Sequence, residues 1–491
     1  MNEHEVPETE FNHIDNRKNL LSGAEPEGQL SGQIRHMEIP ADVARIIDTL
    51  EQAGFEAFAV GGCVRDTILG RTPGDWDITT SARPAQVKAL FRRTVDTGIQ
   101  HGTVTVLLGK EGYEVTTYRI DGEYRDGRHP EAVAFTASLK EDLARRDFTI
   151  NAMAYSPKTG IIDVFGGMED LERRVIRCVG SARERFGEDA LRILRAVRFS
   201  AQLGFAIDPE TEEAIREMAE RLELISRERI QVELDKLLCS ANPGYFRKVY
   251  ELGITAVVMP EFDRAMETLQ RNAYHDLSVG EHTLKALESV RADHILRWTM
   301  LLHDLGKPDT MTTGEDGRIH FYGHAKVSAE LARKILRGLK FDNETVDQVT
   351  LLVTYHDFPF QISEKGIRRA MNRVGELFPK LLEVCTADSM GKNEHARAEY
   401  LPLLEQAESC YRKILRDGDC VSLKSLAVTG SDLIAAGMKP GKELGQCLNR
   451  CLEAVLDDPA KNRKETLLKL AFSTENESPA ENPQKEEAKR K

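Results

Sequence analysis

No stretch of this 491-residue chain is apolar for the roughly 20 residues that a helix needs to cross a bilayer, so no membrane span is expected. The N-terminus, MNEHEVPETEFNHIDNRKNLLSGAEPEGQ, lacks the apolar segment of a secretory signal, and cytoplasm is the expected location. Paired C-x-x-C motifs are missing as well. The eight cysteines (Cys63, Cys178, Cys239, Cys385, Cys410, Cys420, Cys447 and Cys451) are scattered and are expected to be reduced thiols. Cys447 and Cys451, four apart, share one face of a helix, which alone does not make a metal site. Nor is there an excess of positive charge: the net charge of −13 argues against non-specific binding to nucleic acid. The deficit is uneven, however. Lys and Arg slightly outnumber Asp and Glu between Val60 and Ser200, and RRVIRCVGSARERFGEDALRILRAVRF (Arg173 to Phe199) is dense in arginine.

With 41% hydrophobic and 30% charged residues, the composition is that of a globular protein, and the length suggests two to four domains. Residues 1–36 are acidic, polar and without periodicity, as a disordered leader would be, and residues 473–491 read as a disordered tail. From ADVARIIDTLEQAG onward helix and strand alternate. The pattern gives an amphipathic helix from Ala41 to Ala53, strands in FEAFAV, DWDIT, GTVTVLL and YEVTTYRI, and a helix in PAQVKALFRRT. This α/β head ends near Gly167. Beyond it the pattern is helical to Phe472, with breaks at Asn242-Pro243-Gly244, Met259-Pro260 and Gly314 to Gly317.

In FAVGGCVRDTILGRTPGDWDITT, Asp75 and Asp77 are two apart on an expected strand, so both project to one side. Like charges that close need a cation, and hard carboxylate oxygens with room for phosphate and water suit Mg²⁺. Glu114, in YEVTTYR, lies on a strand that could pair alongside. Two Mg²⁺ held this way activate an attacking hydroxyl and stabilise a leaving pyrophosphate. Upstream, Gly61-Gly62 lets backbone N–H groups approach a phosphate, and Arg65 begins the next helical turn.

GGCVRDTILGRTPGDWDITT, RRDFTINAMA (Arg145 to Ala154) and GEDALRILRAVRF (Gly187 to Phe199), in that order, resemble the class II template-independent nucleotidyltransferases, the bacterial CCA-adding tRNA nucleotidyltransferases and poly(A) polymerases. The resemblance runs from about Ile39 to Leu238 and recurs weakly between Ala427 and Gly445. It implies that Asp75 and Asp77 bind the catalytic Mg²⁺ and that Gly62 and Arg65 contact the triphosphate. It further implies that Arg146, Asp147 and Asn151 contact ribose and phosphate. Substrates would be ATP, CTP and tRNA.

The arginine-dense segment can be argued chemically. Read as one helix, EDALRILRAVRF carries Asp189, Arg192, Arg195 and Arg198 at three-residue steps along one stripe. Cytosine and adenine each present an amino donor beside a ring-nitrogen acceptor. An Asp accepting from the amino group and an Arg donating to the ring nitrogen satisfy both bases, while guanine and uracil meet acceptor with acceptor. The family gives this role to the residues matching Asp189 and Arg192; Arg195 and Arg198 would bind phosphate or hold the pair. The plainer reading is an exposed helix whose arginines pair with Glu184 and Glu188. DGEYRDGRHPEAVAF (Asp121 to Phe135) looks like the family's flexible loop, associated with switching from C to A. In SRERIQVELDKLL (Ser226 to Leu238), Arg229 and Glu233 are expected to form an intrahelical ion pair.

A second constellation follows. His282, His303, Asp304, His324, His356 and Asp388 fall on successive expected helices, and mixed imidazole and carboxylate ligands suit Mn²⁺, Ni²⁺, Co²⁺ or Fe²⁺. The set resembles the HD phosphohydrolase superfamily. Its core ligands match His282, His303, Asp304 and Asp388, and His324 and His356 match histidines found in some members. The resemblance implies phosphatase or phosphodiesterase chemistry; a merely structural HD fold is the other reading.

The expected architecture is an α/β nucleotidyltransferase head, a small mixed sheet with helices (37–168), followed by all-α neck and body (169–273), HD (274–400) and tail (401–472) domains. The expected activity is addition of CCA to tRNA 3′ ends. An enzyme adding A alone, a poly(A) polymerase, and a hydrolase with a nucleotide-binding head are the alternatives. Oligomeric state is not legible.

Overall fold

The computed structural model describes residues 36–121, 133–270, 274, 276–315, 317–357 and 362–473. The leader and tail, apart from His36 and Ser473, and nearly all of the Asp121–Phe135 loop lie outside the described residues. Among the described residues, no helix is long and apolar enough to cross a membrane.

Two compact units divide the chain. The first takes the residues up to Ile120 together with Phe135–Arg146 and Ile150–Arg173; the second holds Asp147–Thr149 and everything from Arg174 onward.

The first unit is built on seven strands: β1 (Ala57–Val60), β2 (Asp77–Thr80), β3 (Thr94–Gly98), β4 (Thr103–Leu108), β5 (Glu111–Thr117), β6 (Met153–Ser156) and β7 (Gly160–Asp163). They lie in the order β3-β4-β5-β2-β1-β6-β7. β2 and β5 run parallel, while every other neighbouring pair is antiparallel. All four residues of β1, Ala-Phe-Ala-Val, are buried, as are those of β6, the signature of strands covered on both faces. The helix Ala41–Gln52 covers the sheet with Val43, Ile46, Ile47 and Leu50, a 3-1-3 apolar spacing that forms one stripe. β3, β6 and β7 escape the sequence pattern. Thr94–Gly98 is largely exposed and carries no apolar alternation, while β6 is buried and β7 partly buried along its whole length, so neither alternates.

The second unit is almost wholly helical. Its described strands beyond Arg174 are two-residue pairs, Val175–Ile176 with Ala206–Ile207 and Thr312–Thr313 with Ile319–His320, beside isolated bridges from Phe148 to Cys178 and from Leu269 to Ser278. Leu191–Leu203 packs on Arg227–Leu238. Farther along, Val279–Glu288, His294–Leu302, Asn343–Tyr355 and Phe378–Gly391 pack on one another. Trp298 is completely buried among them, its ring edge-on to Phe341 at 4.9 Å. In the tail, Cys420, Cys447 and Cys451 fill a core with Leu433, Val455 and Leu467. All eight cysteines are free thiols; these three serve as small apolar residues.

Candidate active sites

Asp77 is the first residue of β2, and it stands directly opposite Glu114 of the parallel strand β5. Asp75 lies outside the strand, which corrects the expectation that one strand carries both aspartates. The pairing of β2 with β5 starts only at Asp77, and Pro73-Gly74 just upstream favours a loop, so strand alternation does not set the direction of Asp75. The three carboxylates are nonetheless electrostatic neighbours. Protein atoms crowd the Asp77 carboxyl although the residue keeps an open face to solvent. Lost hydration pushes its pKa up, the charges of Asp75 and Glu114 add to that, and Arg146 opposes. An acidic group short of positive charge is the donor set that hard divalent cations require, so these residues fit Mg²⁺.

Around them the backbone makes room. Gly61 adopts φ +86°, and a Cβ there would lie 3.0 Å from Arg146 Nη1, so only glycine permits this approach. Gly62 opens the helix Gly62–Ile68 with ordinary geometry. Arg65 is buried; it forks onto Asp66 through Nε and Nη2, both at 2.9 Å, and donates from Nη1 to Asn151 Oδ1 at 2.6 Å. Asp142, which the sequence reading passed over, is fully buried. It accepts from Arg145 at 3.0 and 2.8 Å and from Thr79 Oγ1 at 3.0 Å, and lies 3.7 Å from Arg146. Burial alone would raise its pKa; Arg145, Arg146 and Thr79 outweigh that and hold it down. Its spacing was the available signal, because Asp142, Arg145 and Arg146 stand at i, i+3 and i+4.

The base-reading candidates lie in the second unit. EDALRILRAVRF is not a single helix. One helix ends at Glu188 and the next begins at Leu191, with Asp189 extended between them at φ −138°, ψ 104°. Asp189 is therefore off the stripe formed by Arg192, Arg195 and Arg198, because its side chain is spent on the junction: Oδ1 accepts the Leu191 N–H at 3.0 Å. Its Oδ2 accepts from Arg229 Nη2 at 2.7 Å. Arg192 pairs with Glu188 at 2.6 Å, as the plainer reading had it, and also donates to the Arg185 carbonyl. Arg195 donates from Nε and Nη2 to Asp147 Oδ2 at 2.8 and 2.6 Å, and Asp147 Oδ1 accepts the Phe148 N–H at 2.8 Å. Arg198 lies over the Phe199 ring at 3.8 Å and meets Glu233 at 2.6 Å. Arg229 and Glu233 thus point to different partners, not to each other: side chains of the packed helix Leu191–Leu203 and its junction outcompete the local pair.

The histidines and aspartates converge from distant segments. His282 lies within Val279–Glu288 and Asp388 within Phe378–Gly391; His303 and His356 cap the C-termini of their helices, and His324 opens His324–Gly338. Two groups form, each with ligand atoms within 4.8 Å of one another: His282, His303, Asp304 and Asp388, and Asp304, His324 and His356. Asp304 belongs to both. Its Oδ2 is 3.4 Å from His282 Nε2 and 3.2 Å from His303 Nε2, while its Oδ1 is 3.4 Å from His324 Nε2 and 3.5 Å from His356 Nε2. His303, His324 and His356 each donate Nδ1–H to a carbonyl, of Met300, Phe321 and Val353 at 2.7, 2.9 and 2.7 Å, which aims every Nε2 inward. Both Asp304 oxygens are buried and face only cationic or imidazole nitrogens.

The cluster demands positive charge. Burial pushes the His282 pKa down despite Asp388, whereas for His303 the charges of Asp304 and Asp388 overcome burial and raise it to about 10. A proton on His303 answers a demand that a divalent ion answers better, and inward imidazoles with carboxylates suit a transition metal. Two lysines escaped the sequence reading: Lys307 Nζ is 2.6 Å from Asp304 Oδ2, and Lys392 Nζ is 2.8 Å from Asp388 Oδ2.

Three family models match the chain: the poly A polymerase head domain over residues 57–177, the "Probable RNA and SrmB-binding site of polymerase A" over 204–266, and tRNA nucleotidyltransferase domain 2 over 310–471. The CCA-adding enzyme of Lactiplantibacillus plantarum is 37% identical over 439 residues, covering 87% of this chain and 94% of that protein. The CCA-adding enzyme of Pediococcus pentosaceus is likewise 37% identical, over 87% of this chain and 96% of its own length. The crystal structure of the Bacillus stearothermophilus CCA-adding enzyme in complex with CTP superposes with a TM-score of 0.65 at 33% identity, over 88% of this chain and 98% of that one. Shared identity over nearly the full length of each protein, and a fold common to both, make this chain a member of the CCA-adding enzyme family.

Proposed function

We propose that this enzyme adds C, C and A to the 3′ end of tRNA from CTP and ATP, without a nucleic-acid template. The observation that carries the reading is the register that sets Glu114 beside Asp77, with Asp75 two residues upstream, in a member of this family. Asp75 and Asp77, backed by Glu114, hold Mg²⁺. The chemistry supplied by Mg²⁺ when bound is activation of the tRNA 3′-hydroxyl and neutralisation of the leaving pyrophosphate. Arg65 and Arg146 offer guanidinium donors to the triphosphate, with Gly61-Gly62 leaving space for it and Asn151 orienting Arg65. Asp189 accepts from the amino group of cytosine or adenine and Arg192 donates to the adjacent ring nitrogen. Arg195 and Arg198, engaged with Asp147 and Glu233, hold this element rather than phosphate.

Extending a tRNA transcript that lacks CCA, with each nucleotide supplied alone and together, tests the reading. Stepwise C, C, A is expected. A tail of many A residues, or A added only to a transcript ending in CC, assigns the alternatives, and Asp77→Ala should abolish every product.

A second activity is favoured by the convergence of five histidines and aspartates around Asp304. We infer a metal-dependent phosphohydrolase: His282, His303, Asp304 and Asp388 hold one ion of Mn²⁺, Ni²⁺, Co²⁺ or Fe²⁺, and His324 and His356 share Asp304 to hold another. The chemistry supplied by such ions when bound is Lewis acidity toward a phosphoester and its attacking water. Removal of a terminal or cyclic phosphate from tRNA 3′ ends is the matching task. Phosphate release from 2′,3′-cyclic and 3′-phosphorylated substrates, across added metals, tests it, and no release with any metal would count against it.

A further inference from the structure

The neck offers one residue that the proposed chemistry has not used. We propose that Arg229 is the positioning residue of base selection, fixing the carboxylate of Asp189 in the orientation that admits cytosine and adenine and refuses uracil and guanine. The inference rests on the base-reading role given to Asp189 above.

A carboxylate selects by accepting only, so its two oxygens must point where an amino group will be. Freely rotating, it could turn away from the carbonyl of a wrong base and the penalty for admitting that base would fall. Asp189 is not free. Oδ1 takes the N–H of Leu191, the first residue of the 13-residue helix Leu191–Leu203, at 3.0 Å, and Oδ2 takes Arg229 Nη2 at 2.7 Å. Two anchors on different oxygens fix both side-chain torsions and the plane of the group. One anchor is local backbone; the other comes from Arg227–Leu238, a helix packed on Leu191–Leu203. A second tie, Arg198 to Glu233 at 2.6 Å, starts one turn farther along that same helix and stops the two helices sliding.

Burial holds the guanidinium as well, because its Nη1 is shut off from solvent. Backbone hydrogen bonds of Asp189 and Arg192 to Arg185 and Asp189 carbonyls keep the junction itself in place. Arg229 therefore governs the direction of the carboxylate and not the path of the chain.

The test compares Arg229→Gln and Arg229→Lys with Asp189→Asn in the full-length enzyme, measuring kcat and KM for CTP, ATP, UTP and GTP on tRNA transcripts, with thermal melting alongside. Arg229→Gln should lower the preference for CTP over UTP by roughly tenfold or more, chiefly through a raised KM for CTP and ATP. Arg229→Lys, which keeps the charge but not the planar fork, should recover part of the preference. If Arg229→Gln melts like the parent and keeps its preference while Asp189→Asn loses it, the role of Arg229 is refuted and base reading stands. If Asp189→Asn also keeps the preference, base reading by Asp189 falls as well. Should Arg229→Gln fail to fold, Arg229→Lys decides, since a folded lysine variant with unchanged KM and preference also refutes the proposal.

Discussion

Asp77 and Glu114 sit side by side on parallel strands, paired in register, so that two acidic side chains from separate segments share one face of the sheet. Glu114→Gln keeps size and removes charge. It should lower kcat for nucleotide addition on the order of 10²-fold, the scale of losing one preorganised electrostatic group. Its melting temperature should match the parent, and a variant with parental kcat would remove Glu114 from the metal site.

Asp142 is the buried anion that seats Arg145 and Arg146. Removing it takes the one fully buried carboxylate away from two half-buried guanidinium groups, so Asp142→Ala is expected to destabilise the head by about 1–3 kcal/mol. Calorimetric unfolding should show the head transition shifted to lower temperature. An unshifted transition would mean that solvent or other carboxylates replace Asp142.

Asp235 accepts from His294 Nδ1 at 2.5 Å and from Trp298 Nε1 at 2.9 Å. The bond to Asp235 raises the His294 pKa, the charges of Asp235, Asp293 and Asp342 add to this, and burial opposes it. Burial likewise works against Asp235, but its bonds to His294 and Trp298 hold its pKa down. For His294, whose folded pKa is raised, the stabilisation is complete below its unfolded value of about 6.5 and disappears as pH rises through the folded value. For Asp235 it is complete above about 3.9 and disappears as pH falls through its folded value. The pair therefore contributes fully between about pH 4 and 6.5, by a small amount because both side chains remain about one-third exposed to solvent. The urea midpoint of the parent should exceed that of His294→Gln more at pH 5.5 than at pH 8.5. An equal difference at the two pH values would sink the assignment.

Gly391 lies under the His282 ring, where an added Cβ would stand 2.6 Å from Nδ1 and 3.0 Å from the His282 carbonyl oxygen. Gly391→Ala should displace the ring at an overpacking cost of about 1–3 kcal/mol. Bound Mn²⁺ or Ni²⁺, counted by elemental analysis after dialysis, should fall while CCA addition is retained. His324→Ala should remove only the ion of the second group. Identical metal content in parent and both variants would show that these ligands do not hold the ions.

What the sequence determined by itself is local or chemical. The D-x-D step with its glycine pair, the arginines of Arg173–Phe199 and the six histidines and aspartates stand out as candidate sites through residue type and spacing. The apolar stripe of Ala41–Gln52 announced its helix in the same way. Only tertiary structure decided which charges meet. Arg229 and Glu233 stand four apart, the ideal spacing for a helical pair, yet each finds a partner on the neighbouring element. Asp189 leaves its expected helix because its own oxygen takes a backbone N–H at the junction. Glu114 reaches Asp77, and one Asp304 serves two ligand groups, through strand register and helix packing between segments far apart in the chain. Periodicity reports which face of an element is buried; it carries no term for the distance between elements, and Coulomb pairing depends on that distance.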